Sequence, residues 1–352
     1  MNPSRLWTLL LFGTLLPGVA TAVDTGMVKT KTVKTRSGPV QFEPILQPYE
    51  PITGGYTHDS NDTGFTDVNL SLKVRLLPLT YDSRAKVHPY FAMSTRFGFY
   101  WGSRPNSPVI GKSYNPVLLF RFLPNQRLIA GSDSANGPDP SDSSASHTVE
   151  QAEYIDFIPY AHQSNGNLIH TQQQYETQLA SLHVPSYTNN FIHRGWDYVG
   201  FVWKKSWFPD GPPSTDIATY VGGTYFLQRG FLQGPADEYH AWEDNPQGKP
   251  RRAVDGVMLM IEYPSRFAHF ATDYPCVRPN DGLCILSRPN LTIKYLTGYD
   301  TPFEYSTVRA EFGFQFFSLP LALWAQDGYM SNLAMYYQKV TSWGLEVRFE
   351  SF

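Results

Sequence analysis

The residues best equipped for chemistry are His162 and Ser164, in the run Tyr160-Ala161-His162-Gln163-Ser164-Asn165-Gly166. They close a strand-like stretch from Val149 to Tyr160, and the Asn165-Gly166 pair marks a turn. Side chains two apart on a strand share a face. An imidazole beside a hydroxyl is the minimum apparatus for an activated serine nucleophile. The plain alternative is a polar strand end running into a loop. A second segment, Arg194-Gly195-Trp196-Asp197-Tyr198, opens another strand-like run. Its Asp197 has the chemistry to orient His162 and to stabilise the protonated ring. The face of the His162 strand stays open at this stage. Ile158 and Tyr160 share the parity of His162, but so does Asp156, and Pro159 is a natural place for a bulge.

The elements that must position these residues read as strands of an exported protein. Residues 1–22 resemble a secretory signal, with Arg5 before the apolar stretch Leu6 to Leu16 and an Ala20-Thr21-Ala22 cleavage site. Residues 23–44 are polar and read as a flexible lead-in, and 45–352 as a single domain. After the signal no stretch approaches the roughly 18 apolar residues of a helical membrane span. Mean hydropathy is −0.32. Aromatic residues make up 15% of the 352-residue chain, as suits a barrel with aromatic girdles. A net charge of −3 without any basic block offers nucleic acid no foothold. Cys276 and Cys284 flank the turn-forming Pro279-Asn280-Asp281-Gly282; they either close a short disulfide loop or remain two thiols. The segment from Gly131 to His147, rich in Ser, Asp, Gly and Pro, reads as a disordered loop.

Dyad alternation fills the rest. In Asp67 to Leu76, Val68, Leu70, Leu72, Val74 and Leu76 oppose Asp67, Asn69, Ser71, Lys73 and Arg75. The same pattern recurs in Asn290 to Tyr299, in Glu304 to Phe316 and in the last strand from Ser342. About twelve strands are expected, near 49–58, 66–78, 89–102, 115–123, 150–162, 195–207, 217–228, 254–264, 289–298, 304–318, 321–332 and 341–352. The polar faces carry both charge signs, as the lining of a polar-filled barrel would. The reading is an all-β, transmembrane antiparallel β-barrel. An even strand count returns both ends to the periplasm, so loops after odd-numbered strands face outward. Gly166 and Asp197 then sit at the outer rim. Asp197 shares the parity of Val199, Phe201 and Trp203, so it is expected on the lipid side near the interface, where an acid costs least.

Together the two segments resemble the outer-membrane phospholipase A family, whose members read His-x-Ser-Asn-Gly at one strand end and Ser-Arg-x-Trp-Asn on the next. Gln47-Pro48-Tyr49-Glu50, Ser107-Pro108 with Tyr114-Asn115-Pro116, Gly328-Tyr329 and the terminal Phe352 are similar to further family segments. The resemblance implies a twelve-stranded barrel in the bacterial outer membrane, hydrolysing acyl esters of phospholipids and lysophospholipids at the outer leaflet. Ser164 would be the nucleophile, His162 the base and then acid, and Gly166 would offer its backbone N–H to the oxyanion. The family's third residue is Asn; the matching position here is Asp197, which keeps the orienting role. The family also implies calcium and a homodimer when active. Its ligands are backbone carbonyls and a serine hydroxyl, which matches Asn106, Asn167 and His193 here, mainly through carbonyls. His193 is a poor ligand for a hard cation. The loop from Asn167 to His193 is longer than the family's by about twenty residues. A reading from another class is a barrel without activity, a porin or binding protein whose His162 and Ser164 are ordinary rim residues. A third is a soluble exported β-sandwich.

Overall fold

The computed structural model describes residues 33–35, 38–40, 46–60, 63–77, 86–101, 109–124, 127–130, 147–150, 153–183, 188–207, 217–233, 249–264, 286–316 and 319–349. Residues 1–22, expected to be a signal, most of residues 23–44, Asn106, Ser107-Pro108, residues 131–146, Cys276, Cys284 and Phe352 lie outside them.

Twelve strands form the barrel: β1 (Ile52–Asp59), β2 (Thr63–Arg75), β3 (Val87–Phe99), β4 (Val109–Phe122), β5 (Glu153–Ser164), β6 (Gly195–Ser206), β7 (Ala218–Phe226), β8 (Gly256–Pro264), β9 (Leu286–Gly298), β10 (Ser306–Phe316), β11 (Leu319–Gly328) and β12 (Val340–Phe349). Each pairs antiparallel with its chain neighbours, and β12 pairs with β1 through Phe349↔Ile52 to Ser342↔Asp59. Closure of this kind removes the unpaired edges that an open sheet would expose. A thirteenth, two-residue strand, Leu46–Gln47, adds to the β1 side of β2. The expected strands all appear, with ends shifted by a few residues. The largest shift is β4, which begins at Val109 rather than Asn115. Val33–Thr35 and Gly38–Val40 pair as a small hairpin within the lead-in, and Arg127–Ala130 pairs with His147–Glu150.

Alternation resolves into an apolar outside and a polar inside. On β2, Leu70 and Val74 are exposed on the outer wall, whereas Ser71 and Lys73 are buried in the lumen. Lumenal charges are paired. Arg121 grips Asp156 through two bonds of 2.7 Å and lies 4.0 Å from the Tyr154 ring centroid. Such bidentate pairing offsets the cost of removing both charges from water.

One lumenal region is apolar, against the expectation of a polar-filled interior. β11 ends at Gly328, and the following segment dips inward, burying Leu333, Ala334, Met335, Tyr336 and Tyr337. These pack with Val117, Leu119, Ile158, Ala161, Trp196 and Tyr198 from the inner walls of β4, β5 and β6. The Tyr336 hydroxyl donates to the Lys249 carbonyl at 2.9 Å, and Asn332 Oδ1 accepts from the Met335 N–H at 2.8 Å. A dense core of this kind holds the strands behind the site in one arrangement.

Candidate active site

The site begins with a bulge. On β5, Phe157 pairs with Phe120 of β4, yet Tyr160 pairs with Leu118, so three steps on β5 match two on β4. The β6 side shifts too, between Ile158↔Gly200 and Ala161↔Tyr198. The extra residue falls at Ile158-Pro159, where Pro159 has no N–H to give the ladder. Before the bulge, Asp156 and Ile158 point inward and are buried. Beyond it the parity reverses, so that Tyr160, His162 and Ser164 point outward while Ala161 turns into the core. The face left open by the sequence is thus the outer one.

Across the ladder, His162 is the direct partner of Asp197 and Ser164 the partner of Gly195. His162 Nδ1 lies 2.6 Å from Asp197 Oδ1. With a carboxylate as acceptor, Nδ1 carries the proton and Nε2 keeps its lone pair. Gly195 leaves an open space beside the ring and the serine. A Cβ built there would lie 3.7 Å from His162 Nε2 and 3.7 Å from Ser164 Cβ. The Gly166 N–H donates to Ser164 Oγ at 3.2 Å. Gly166 has φ +57, and a Cβ there would approach the Tyr114 ring to 3.2 Å. Both facts select glycine.

Asp197 does not sit at the open interface that its parity led us to expect. It faces outward, but it is fully buried. The cover is the turn after β7, from Leu227 to Gln233. The Leu232 N–H donates to Asp197 Oδ2 at 2.7 Å and to the Tyr160 hydroxyl at 3.2 Å. The turn lies so close that a Cβ on Gly230 would fall 1.9 Å from Oδ2. A buried carboxylate must be satisfied by donors, and here the His162 ring and the Leu232 N–H supply them.

Asn165 ties the two halves together. Its Oδ1 accepts from the Arg194 N–H at 2.9 Å and the Asn167 N–H at 3.3 Å, and its Nδ2 donates to the Ile192 carbonyl at 2.8 Å. The long connection between β5 and β6 therefore leaves and re-enters through one clamped neck. Within it lies a helix, α1 (Gln172–Leu182), whose N-terminus carries a reciprocal Thr171–Gln174 capping box. Thr171 and Gln174 at that spacing were the available sequence signal for α1. For Gly195, Gly230 and Leu232 no comparable signal existed, since each acts through backbone or through absence of a side chain.

Of the residues matched to calcium, two fall among the described residues. Asn106 lies outside the described residues. The Asn167 amide donates to the carbonyls of Asn190 and Ile192, at 2.8 and 3.3 Å. The His193 ring stacks on His170 with centroids 4.4 Å apart. Among the described residues no group of three His, Cys, Asp or Glu side chains is placed to hold a metal ion. The stacked His193 ring offers no oxygen to a hard cation.

No protein family and no curated protein matches this chain in sequence. Solved structures match it in fold. The outer membrane phospholipase A from Escherichia coli superposes with a TM-score of 0.50 at 15% identity, over 86% of this chain and 98% of that one. An outer membrane phospholipase dimer of Salmonella typhi with bound calcium gives a TM-score of 0.51 at 15% identity, over 86% of this chain and 92% of that one. The likeness is one of fold: the chain is an antiparallel barrel of the outer-membrane kind.

Proposed function

We propose that this protein is an outer-membrane serine esterase that cleaves acyl esters of phospholipids and lysophospholipids. One observation carries the reading: the 2.6 Å pair of His162 and Asp197 shares the lipid-facing wall with Ser164. A hydrolase acting on lipids needs its nucleophile where lipid is, and a porin does not need a buried acid behind a histidine. The packed core of Leu333 to Tyr337 also argues against an open pore. The fold shared with the Escherichia coli phospholipase supports the same class.

In the mechanism, Ser164 Oγ attacks the acyl carbonyl carbon as its proton passes to His162 Nε2. The carbonyl oxygen gains negative charge and takes a hydrogen bond from the Gly166 N–H, which already points to Oγ. His162 gives its proton to the departing alcohol oxygen of the lysolipid, leaving Ser164 acylated. Water then attacks the acyl carbonyl as it gives a proton to His162; the bond to Ser164 Oγ breaks, His162 returns the proton to Oγ, and the fatty acid leaves. Asp197 holds the ring in the required tautomer throughout and stabilises the imidazolium.

The rim bearing the site is read as the cell-surface rim, because both ends of the barrel chain, Ile52 and Phe349, meet at the opposite one. The reading extends to a homodimer, by likeness to the dimeric Salmonella typhi neighbour. Calcium enters no step: the His193 ring offers it no oxygen, and Asn106 lies outside the described residues. The test is fatty-acid release from phospholipid in mixed micelles by wild type and Ser164→Ala, with the barrel checked by its shift in gel mobility on boiling. Ser164→Ala should lose several orders of magnitude in rate. Wild-type release by a folded Ser164→Ala protein would overturn the assignment.

A further inference from the structure

The turn over Asp197 carries two large apolar side chains that stand exposed among the described residues. Phe231 is 89% exposed and Leu232 50%. Exposed apolar groups of this size, side by side, mark a surface that meets something apolar. The turn sits on the outward face through Asp197 and Tyr160, and on that same face Tyr225 of β7 and Phe201 of β6 are also exposed, so the patch belongs to the wall that faces lipid. Arg229, exposed on the same turn, is a cation that a lipid phosphate would attract. The turn keeps its shape through polar contacts rather than through burial of its side chains. The Gly230 N–H donates to Gln233 Oε1 at 2.9 Å, and the Leu232 N–H to Asp197 Oδ2 at 2.7 Å.

Resting on the esterase reading, we infer that the Gly230–Leu232 turn is a lipid-contacting positioning element. Its side chains take up the acyl chains of membrane or substrate lipid, and its backbone holds the carboxylate that orients His162. Engagement with lipid and alignment of the base thus depend on one piece of chain. The occupant is acyl chain rather than a protein partner, because the patch belongs to the barrel's lipid-facing wall. Gly230 is required by contact, since any Cβ there would overlap Asp197. Phe231 and Leu232 act through lipid or through Asp197, so they are positioning residues.

The experiment compares two substrates, dispersed phospholipid and a short-chain ester dissolved below its micellar concentration. For Phe231→Ser combined with Leu232→Ser, the ratio of phospholipid to soluble-ester rates should fall at least about tenfold, with Phe231→Leu restoring it. Gly230→Ala should lower kcat on both substrates by about tenfold or more, with little change in KM. A binding readout independent of turnover uses Phe231→Trp in vesicles with brominated acyl chains. The added fluorescence, taken as the difference from the parent's own tryptophan emission, should be quenched. An unchanged substrate ratio in the double variant, or unquenched emission from Phe231→Trp, overturns the inference. Ser164→Ala separates the two failures. If it is inactive while the turn variants behave as wild type, only the inference fails; if it retains activity, the esterase reading fails with it.

Discussion

Ser164 and Gly195 face one another across β5 and β6, and the missing side chain of Gly195 leaves the space between nucleophile and base. A Cβ there would stand 3.4 Å from His162 Cε1 and 3.7 Å from Ser164 Cβ. A single methyl is ordinary contact, but a branched side chain would push the ring and the serine apart. Gly195→Val is therefore expected to reduce kcat by about a hundredfold, the scale of a misplacement near 1 Å. Gly195→Ala should keep much more. Initial rates of ester release, with heat-modified gel mobility as the folding control, decide between this and an inert glycine.

Asp197 uses both of its oxygens, one on His162 and the other on the Leu232 N–H. An Asn in its place can still accept from the ring, but its amide nitrogen then faces a second donor. Asp197→Asn should therefore lose about tenfold in rate, and Asp197→Ala considerably more because the ring is unheld. The paired need for two acceptor oxygens explains an acid at this position. Equal rates for the Asn and Ala variants would remove Asp197 from the mechanism.

Asn165 holds the neck of the β5–β6 connection through three hydrogen bonds. Asn165→Ala would leave the buried N–H of Arg194 without that acceptor, a loss of about 1–3 kcal/mol. The expected outcome is faster amide exchange at Arg194 and Asn167, together with slower ester release. Exchange unchanged from wild type would show the clamp to be dispensable.

Deleting Pro159 should remove the bulge and let β5 continue in one parity. His162 and Ser164 would then turn into the lumen and Ala161 outward, since a one-residue slip exchanges the faces of a strand. Activity should vanish even in molecules that still form heat-modifiable barrels. A folded, active deletion variant would contradict the role assigned to the bulge.

The barrel was legible because each of its strands writes the boundary between lipid and lumen into its own residues. Leu70 and Val74 against Ser71 and Lys73 need no distant partner to be read. The shared face of His162 and Ser164 followed from the two-residue period in the same way. Their outward direction did not follow, because the bulge at Pro159 is defined by register against β4 and β6 together. The core formed by Leu333 to Tyr337 also escaped the strand pattern, since it joins residues from the inner walls of β3 to β7. Asp197 is the clearest case. Its sequence neighbours put it on the lipid side, correctly, and from there exposure at the interface seemed to follow. Its burial comes instead from the backbone of a turn some thirty residues on, through the Leu232 N–H and the bare Gly230. Alternation is a local property and survives in one dimension; a covering contact made by main chain leaves no side-chain signature, and only the folded chain brings it into being.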